Sequence, residues 1–156
     1  MALEWHRLGR PKSLGFSTGV LAGLVAITPA SGFVTPAAAI PIGMIAGIIY
    51  YGAVELKGKL GYGDSLDVFG VHGVGGITGA LLTGIFASIG SAGLLLGNSS
   101  QLVTQLEGVV ASAVYASVCT LILGYIINKT MGLKVSESEE NIGLDQTQHG
   151  EVAYNI

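Results

Sequence analysis

A chain of 156 residues that is 50% hydrophobic and only 11% charged, with a mean hydropathy of +0.64, is too apolar for a soluble domain of that length. Low charge combined with 25 glycines also excludes coiled-coil and disordered classes. The net charge of −3 offers no basic surface for nucleic acid, and one cysteine, Cys119, forms neither an internal disulfide nor a cysteine-rich metal site.

Residues 1–13, with Arg7, Arg10 and Lys12, read as a cytoplasmic segment, and Met1 to Arg10 has no apolar core of the length a cleavable signal peptide needs. Residues 13–54 carry no formal charge, and a crossing needs about 20 residues, so this run is too long for one span. Its break lies at Thr28-Pro29-Ala30-Ser31-Gly32 and again at Pro36, which predicts spans over 14–29 and 38–54. Pro41 falls in the first turn of the second span, where proline is tolerated. Residues 68–106 are again uncharged and predict a span over 68–89, then a Gly/Ser/Asn loop over 90–101. A last span is expected over 106–128, and Glu107 reads as a helix-start residue stabilised by the helix dipole. The expected architecture is therefore all-α and polytopic, a membrane domain over 14–128 followed by a tail over 129–156.

Four spans place three segments on one side, and these hold every Lys and Arg: Arg7, Arg10 and Lys12, then Lys57 and Lys59, then Lys129 and Lys134. The positive-inside rule makes both termini cytoplasmic in a multi-pass protein of the cell membrane. Glycines recur at helical spacing at Gly15, Gly19 and Gly23, at Gly43 and Gly47, and at Gly75, Gly76 and Gly79. Smooth faces of this kind let backbones approach in lipid, so these glycines read as helix-packing positions.

His72 is the exceptional residue. An ionisable group inside an apolar span is costly to place and faces a cavity or a partner. Regular helical spacing puts His72, Gly76, Gly79 and Thr83 on one stripe with Gly75 beside it. A satisfied structural histidine and a pore or relay residue both remain open on this pattern. Metal binding has no support, because no second His, Cys or carboxylate lies at ligand spacing on that helix. No cofactor motif is present, and the absence of a nucleophile and base on adjacent spans argues against an enzyme.

The segment DVFGVHGVGGITGALLTGIFA, residues 67–87, resembles the signature of the ammonium transporter family. The resemblance extends through GRPKSLGFSTGVLAGLVAITPASGFV at residues 9–34 and the GLKV and GLDQTQHGEVAYN segments of the tail, in register over nearly the whole chain. It implies a homotrimer of eleven-helix subunits, each with a narrow hydrophobic pore that carries ammonium across the bilayer as ammonia and a proton moving separately. His72 then resembles the second of two pore histidines. Imidazole suits that role because its neutral ring donates at one nitrogen and accepts at the other. Phe69, Val71 and Thr28 are assigned to the pore with it, and Asp67 to the cytoplasmic end of the pore helix. Asp67 precedes His72 by only about 7.5 Å of helix rise, so a mid-pore histidine requires a water-filled vestibule around Asp67.

The resemblance covers the last four helices of the family's eleven, with no counterpart of the first pore histidine. His6 lies among Arg7, Arg10 and Lys12 and does not replace it. The expected function is ammonium transport, with the chain a C-terminal fragment of the transporter. The alternative is a non-conducting subunit that assembles with a longer homologue. The tail carries the whole net negative charge, and Ser136 followed by Glu139 predicts a capping box for a short helix ended by Gly143. By resemblance it is a regulatory segment that packs under a neighbouring subunit, near a docking site for PII-type signalling proteins. Gly132, Gly143, Asp145, His149, Gly150 and Tyr154 are its assigned residues.

Overall fold

A computed structural model describes residues 2–152. The chain divides into two compact units, residues 1–111 and 112–156. The first begins with a short helix α1 (Ala2–Leu8), followed by α2 (Ser13–Ile27), which runs into a tight turn at Thr28–Ala30. Pro29 stands at the head of that turn, where its missing N–H is not needed. Helix α3 (Pro36–Leu60) returns, and Gly61 closes it with φ +68 and an N–H donated to the Lys57 carbonyl. A wide π turn at Phe69–Val74 leads directly into α4 (Gly75–Phe86). Helix α5 (Ser99–Thr130) crosses from the first unit into the second.

Helices α2, α3 and α4 pack on one another through small residues spaced four apart. Ala22 and Ala26 line the contact face of α2, continued by Ala30 in the turn after it, and Ile42, Ala46 and Tyr50 line that of α3. Residues four apart lie one above the other on a helix, so each set forms a single ridge. Ala26, Ala30, Ile42, Ala46 and Leu82 make one core cluster, and Ala22, Tyr50 and Val71 a second. At Gly79 an added Cβ would lie 2.2 Å from the Ala26 carbonyl oxygen, so α2 and α4 are in direct backbone contact there.

The expected glycine faces are only partly used inside this chain. Gly75 and Gly79 meet α2, at Val25 and Ala26 respectively. Gly19, Gly23, Gly43, Gly47 and Gly76 have no atom within 4 Å of an added Cβ, and Gly15 lies against the Glu4 side chain. The contact of α2 with α3 and α4 falls on its alanines. Gly15, Gly19, Gly43 and Gly47 line a cavity of about 500 Å³ bounded by α1, α2 and α3.

Among the described residues, four helical segments are long and apolar enough to cross a membrane: Ser13–Ala30, Pro36–Leu60, Phe69–Phe86 and Ser99–Thr130. The last begins well before the expected residue 106. At 32 residues it is about 48 Å long, more than the roughly 30 Å that one crossing of the hydrocarbon needs. The more polar residues 101–107 are thus helical and not part of the loop. Glu107 is thus more than two turns inside α5, outside the first turn where a dipole interaction acts. The chain turns into α5 through Asn98, whose Nδ2 donates to the Ala92 carbonyl at 3.0 Å and whose Oδ1 accepts from Ser100 Oγ at 2.6 Å.

In the second unit, Gly132 with φ +83 ends α5 by donating its N–H to the Ile127 carbonyl. Two short helices follow, α6 (Glu137–Ile142) and α7 (Leu144–His149). The capping box forms as expected: Ser136 Oγ accepts from the Glu139 N–H, and the Glu139 carboxylate accepts from the Ser136 N–H at 2.9 Å. Glu139 also ties the two helices, taking a bond from Gln148 Nε2 on its carboxylate and one from Thr147 Oγ1 on its carbonyl.

Candidate functional site

The signature segment is built around a local departure from regular helix. Asp67 takes φ +55, a left-handed conformation uncommon outside glycine and best tolerated by Asn and Asp. The Asp64 carboxylate accepts the N–H groups of Val68 at 2.8 Å and Phe69 at 2.9 Å, satisfying donors that a helix start leaves free. Phe69–Val74 then widens into a π turn, and the Gly75 N–H reaches back to the Gly70 carbonyl five residues earlier. Single π turns inside helices are frequent at functional sites.

The wide turn divides its side chains between two directions. Val71 is buried against Ala22 and Tyr50, whereas His72 is exposed. Because five residues and not four close the turn, His72 is rotated off the stripe to which regular spacing assigned it. Gly79 and Thr83 are buried, while His72 and the half-buried Gly76 are not. Small residues admit this geometry. An added Cβ at Gly73 would come within 3.0 Å of the Phe69 ring, and one at Gly70 would touch Tyr50 and Val54. Phe69 therefore folds back over Gly73 and meets Tyr62 edge-on, with ring centroids 6.2 Å apart at 87°.

Asp67 borders the cavity lined by α1, α2 and α3. It is ion-paired with Lys57 of α3, whose ammonium also donates to the Asp64 carbonyl at 2.8 Å. Both side chains of the pair are about one-fifth exposed. Thr28 is carried beyond His72 along the parallel helix α2, past Ala26, the residue that meets Gly79; its hydroxyl donates to the Val25 carbonyl at 2.6 Å. In the tail, the Asp145 carbonyl accepts from the Glu151 N–H, Gly150 caps α7, and His149 is exposed. Tyr154 lies outside the described residues.

Sequence reasoning missed Lys57, Asp64, Tyr50 and Tyr62. Asp64 carries a signal in the strong preference for Asp at helix starts, but Ser65 and Asp67 compete for the same reading. Lys57 has none, since its contact depends on how far α3 runs before Gly61 turns the chain.

A profile of the Ammonium Transporter Family matches residues 1–154. Among characterised relatives, the ammonium transporter of Aquifex aeolicus is 49% identical over all of this chain and 38% of its own length. Ammonium transporter Amt1 of Archaeoglobus fulgidus is 46% identical over 99% of this chain and 40% of its own length. The crystal structure of Saccharomyces cerevisiae Mep2 superposes with a TM-score of 0.82 at 35% identity, over 88% of this chain and 34% of that one. Candida albicans Mep2 gives 0.83 at 31% identity, over 96% and 36%. The chain thus spans about two-fifths of the length of these curated relatives. With its apolar helices and this likeness, it belongs to the ammonium transporter family, as a helical multi-pass membrane protein and not an enzyme.

Proposed function

We propose that the chain contributes one wall of a narrow pore that conducts ammonium, and that His72 is the pore histidine of that wall. The observation that carries this reading is the π turn, which buries Val71 and leaves the neighbouring imidazole exposed on an apolar span. An exposed histidine facing lipid is unfavourable, so the open side of His72 is covered by further helices from outside residues 1–156. There the neutral ring donates at one nitrogen and accepts at the other, a combination that holds ammonia in a single file and passes a proton along it. Phe69 stands on the approach to the ring, Val71 backs the turn from its buried side against Ala22 and Tyr50 instead of lining the pore as the resemblance implied, and Thr28 belongs to the same path beyond the ring. Gly19 and Gly23, with no atom within 4 Å of an added Cβ, are packing positions for the covering helices, and Gly15, beside Glu4 of α1, continues the same face.

The same reading takes the assembly as a homotrimer with both termini cytoplasmic. Lysines and arginines confined to one side support that orientation. Residues 129–156 form the regulatory tail, with Gly132, Gly143, Asp145, His149, Gly150 and Tyr154 as its signature and a PII-type protein as the candidate regulator.

Uptake into liposomes tests the reading. The 156-residue chain alone is expected to give no saturable ammonium uptake. Co-reconstituted with the complementary helices of the Aquifex aeolicus relative, it should restore uptake, and His72→Ala should abolish the proton-coupled component while assembly survives. Saturable uptake by the chain alone sinks the one-wall reading, and unchanged current with lowered assembly stability in His72→Ala removes His72 from the pore.

A further inference from the structure

We propose that Lys57 is a positioning residue for His72, acting from α3 through the two aspartates that precede the π turn. The proposal rests on the pore reading of His72 and adds the device that sets the ring's direction. Three links make the connection continuous. The Lys57 ammonium donates to the Asp64 carbonyl at 2.8 Å and pairs with the Asp67 carboxylate. The Asp64 carboxylate in turn holds the N–H groups of Val68 and Phe69, the residues that open the turn. Finally, the Asp67 carbonyl accepts the N–H of Val71 at 2.9 Å, the residue before His72.

This arrangement solves a specific problem. Asp67 sits at φ +55, a conformation with a steric cost for any residue with a Cβ, and it persists only where the surroundings hold it. Lys57 supplies that hold by fixing the Asp67 side chain and the Asp64 backbone together. Without it, the chain before Val68 is free to relax toward regular helix. A regular helix would draw the extra residue of the π turn back into register and swing His72 around the axis, away from the face it now occupies. The ion pair lies at the loop end of α3, one-fifth exposed, so it is not merely a surface pair that solvent screens away. Lys59, two residues on, is exposed and serves as the control cation.

The test has a spectroscopic arm and a transport arm. In nanodiscs, the His72 ring nitrogens of the 156-residue chain are assigned by comparison with His72→Gln, and the resonances are recorded for Lys57→Met, Lys57→Arg and Lys59→Met. Lys57→Met is expected to shift the His72 ring resonances and to speed amide exchange of Val68 and Phe69 by about tenfold, the size of one lost charge-assisted hydrogen bond. Lys57→Arg, which keeps the charge and the donors, should restore both, and Lys59→Met should move neither. If Lys57→Met does not fold, Asp67→Asn decides, because it keeps the side-chain shape and removes only the charge of the pair. Unmoved His72 resonances in the folded variant overturn the proposal. In the transport arm, Lys57→Met in the completed pore should lower maximal uptake and Lys57→Arg should recover it. A pore that conducts equally well with His72→Ala defeats the pore reading, whatever the spectra show. Unchanged His72 spectra in a pore that depends on His72 defeat the role of Lys57 alone.

Discussion

Helices α4 and α5 are both apolar enough to span a bilayer, and the window over α5 is the more apolar of the two, yet they differ in what surrounds them. Of the α4 window, 44% is buried inside the chain, while none of α5 is. The difference lies in side-chain size. The buried face of α4 is Gly75, Thr78, Gly79, Leu82, Thr83 and Gly84, which lets α2 approach to backbone contact at Ala26. Helix α5 turns Val110, Val114, Tyr115, Leu121, Ile122 and Tyr125 outward, more than half exposed in each case. Hydropathy places a helix in the membrane, and small residues determine which of its faces meets protein. In lipid an apolar side chain gains little by moving from one apolar neighbour to another, so close packing carries the association.

Alanine at paired glycines breaks or sharpens this contrast, and the largest effect is expected at Gly79. An added methyl there meets the Ala26 carbonyl at 2.2 Å, so α2 and α4 must separate. Gly79→Ala should lower stability by about 1–3 kcal/mol, the range for overpacking a tight contact. Gly108→Ala on α5 has no atom within 4 Å of the new methyl and removes a poor helix former, so it should raise stability by about 0.5 kcal/mol. Reversible unfolding in bicelles reads both. The same sign for the two variants would mean that glycine serves the two helices alike.

A smaller effect is expected where the two helices meet. An added Cβ at Gly84 would lie 2.9 Å from Leu102 Cα and 3.2 Å from the Leu102 and Gln105 side chains. Only the first of these is backbone, and α5 is anchored there by its opening turns. Gly84→Ala should therefore cost about 1 kcal/mol, less than Gly79→Ala. It should also speed amide exchange near Leu102 without changing exchange in α2 or α3. A uniform rise across all helices would show that α4 and α5 unfold as one body.

Whether a feature was legible in the sequence depended on how local its cause is. The spans follow from long uncharged runs, and the tail cap from Ser136, Glu139 and Gly143, residues in direct sequence proximity. His72 was conspicuous as an ionisable residue in an apolar span. Its direction was not legible, because the π turn depends on the left-handed Asp67 and on Lys57, ten residues earlier and on another helix. Where α5 begins was not legible, because hydropathy reports a crossing while a helix can run beyond it. The alanine ridge of α2 has the same four-residue spacing as its glycines, but alanine in an apolar helix carries no mark that separates a contact face from any other.

The tail helices, unlike α4 and α5 along their apolar lengths, are tied together through one exposed carboxylate, and so they should loosen in acid. Hydrogen bonds from the Ser136 side chain and N–H hold the Glu139 carboxyl below its ordinary value near 4.5. A group whose pKa is lowered by folding contributes stability that is fully present above the unfolded value and is lost as pH falls through the folded one. Between pH 7 and about 5 the tail should thus be unchanged, and below the ordinary glutamate value α6 and its link to α7 should loosen progressively. Amide exchange at Glu139 and Glu140, followed against the Val71 amide in the same sample, separates the two regions. Glu139→Gln keeps an acceptor for the Ser136 N–H but does not titrate, so its tail should be less protected at pH 7 and lose the acid response. If that variant frays with the same pH profile as the parent, some carboxylate other than Glu139 holds the tail.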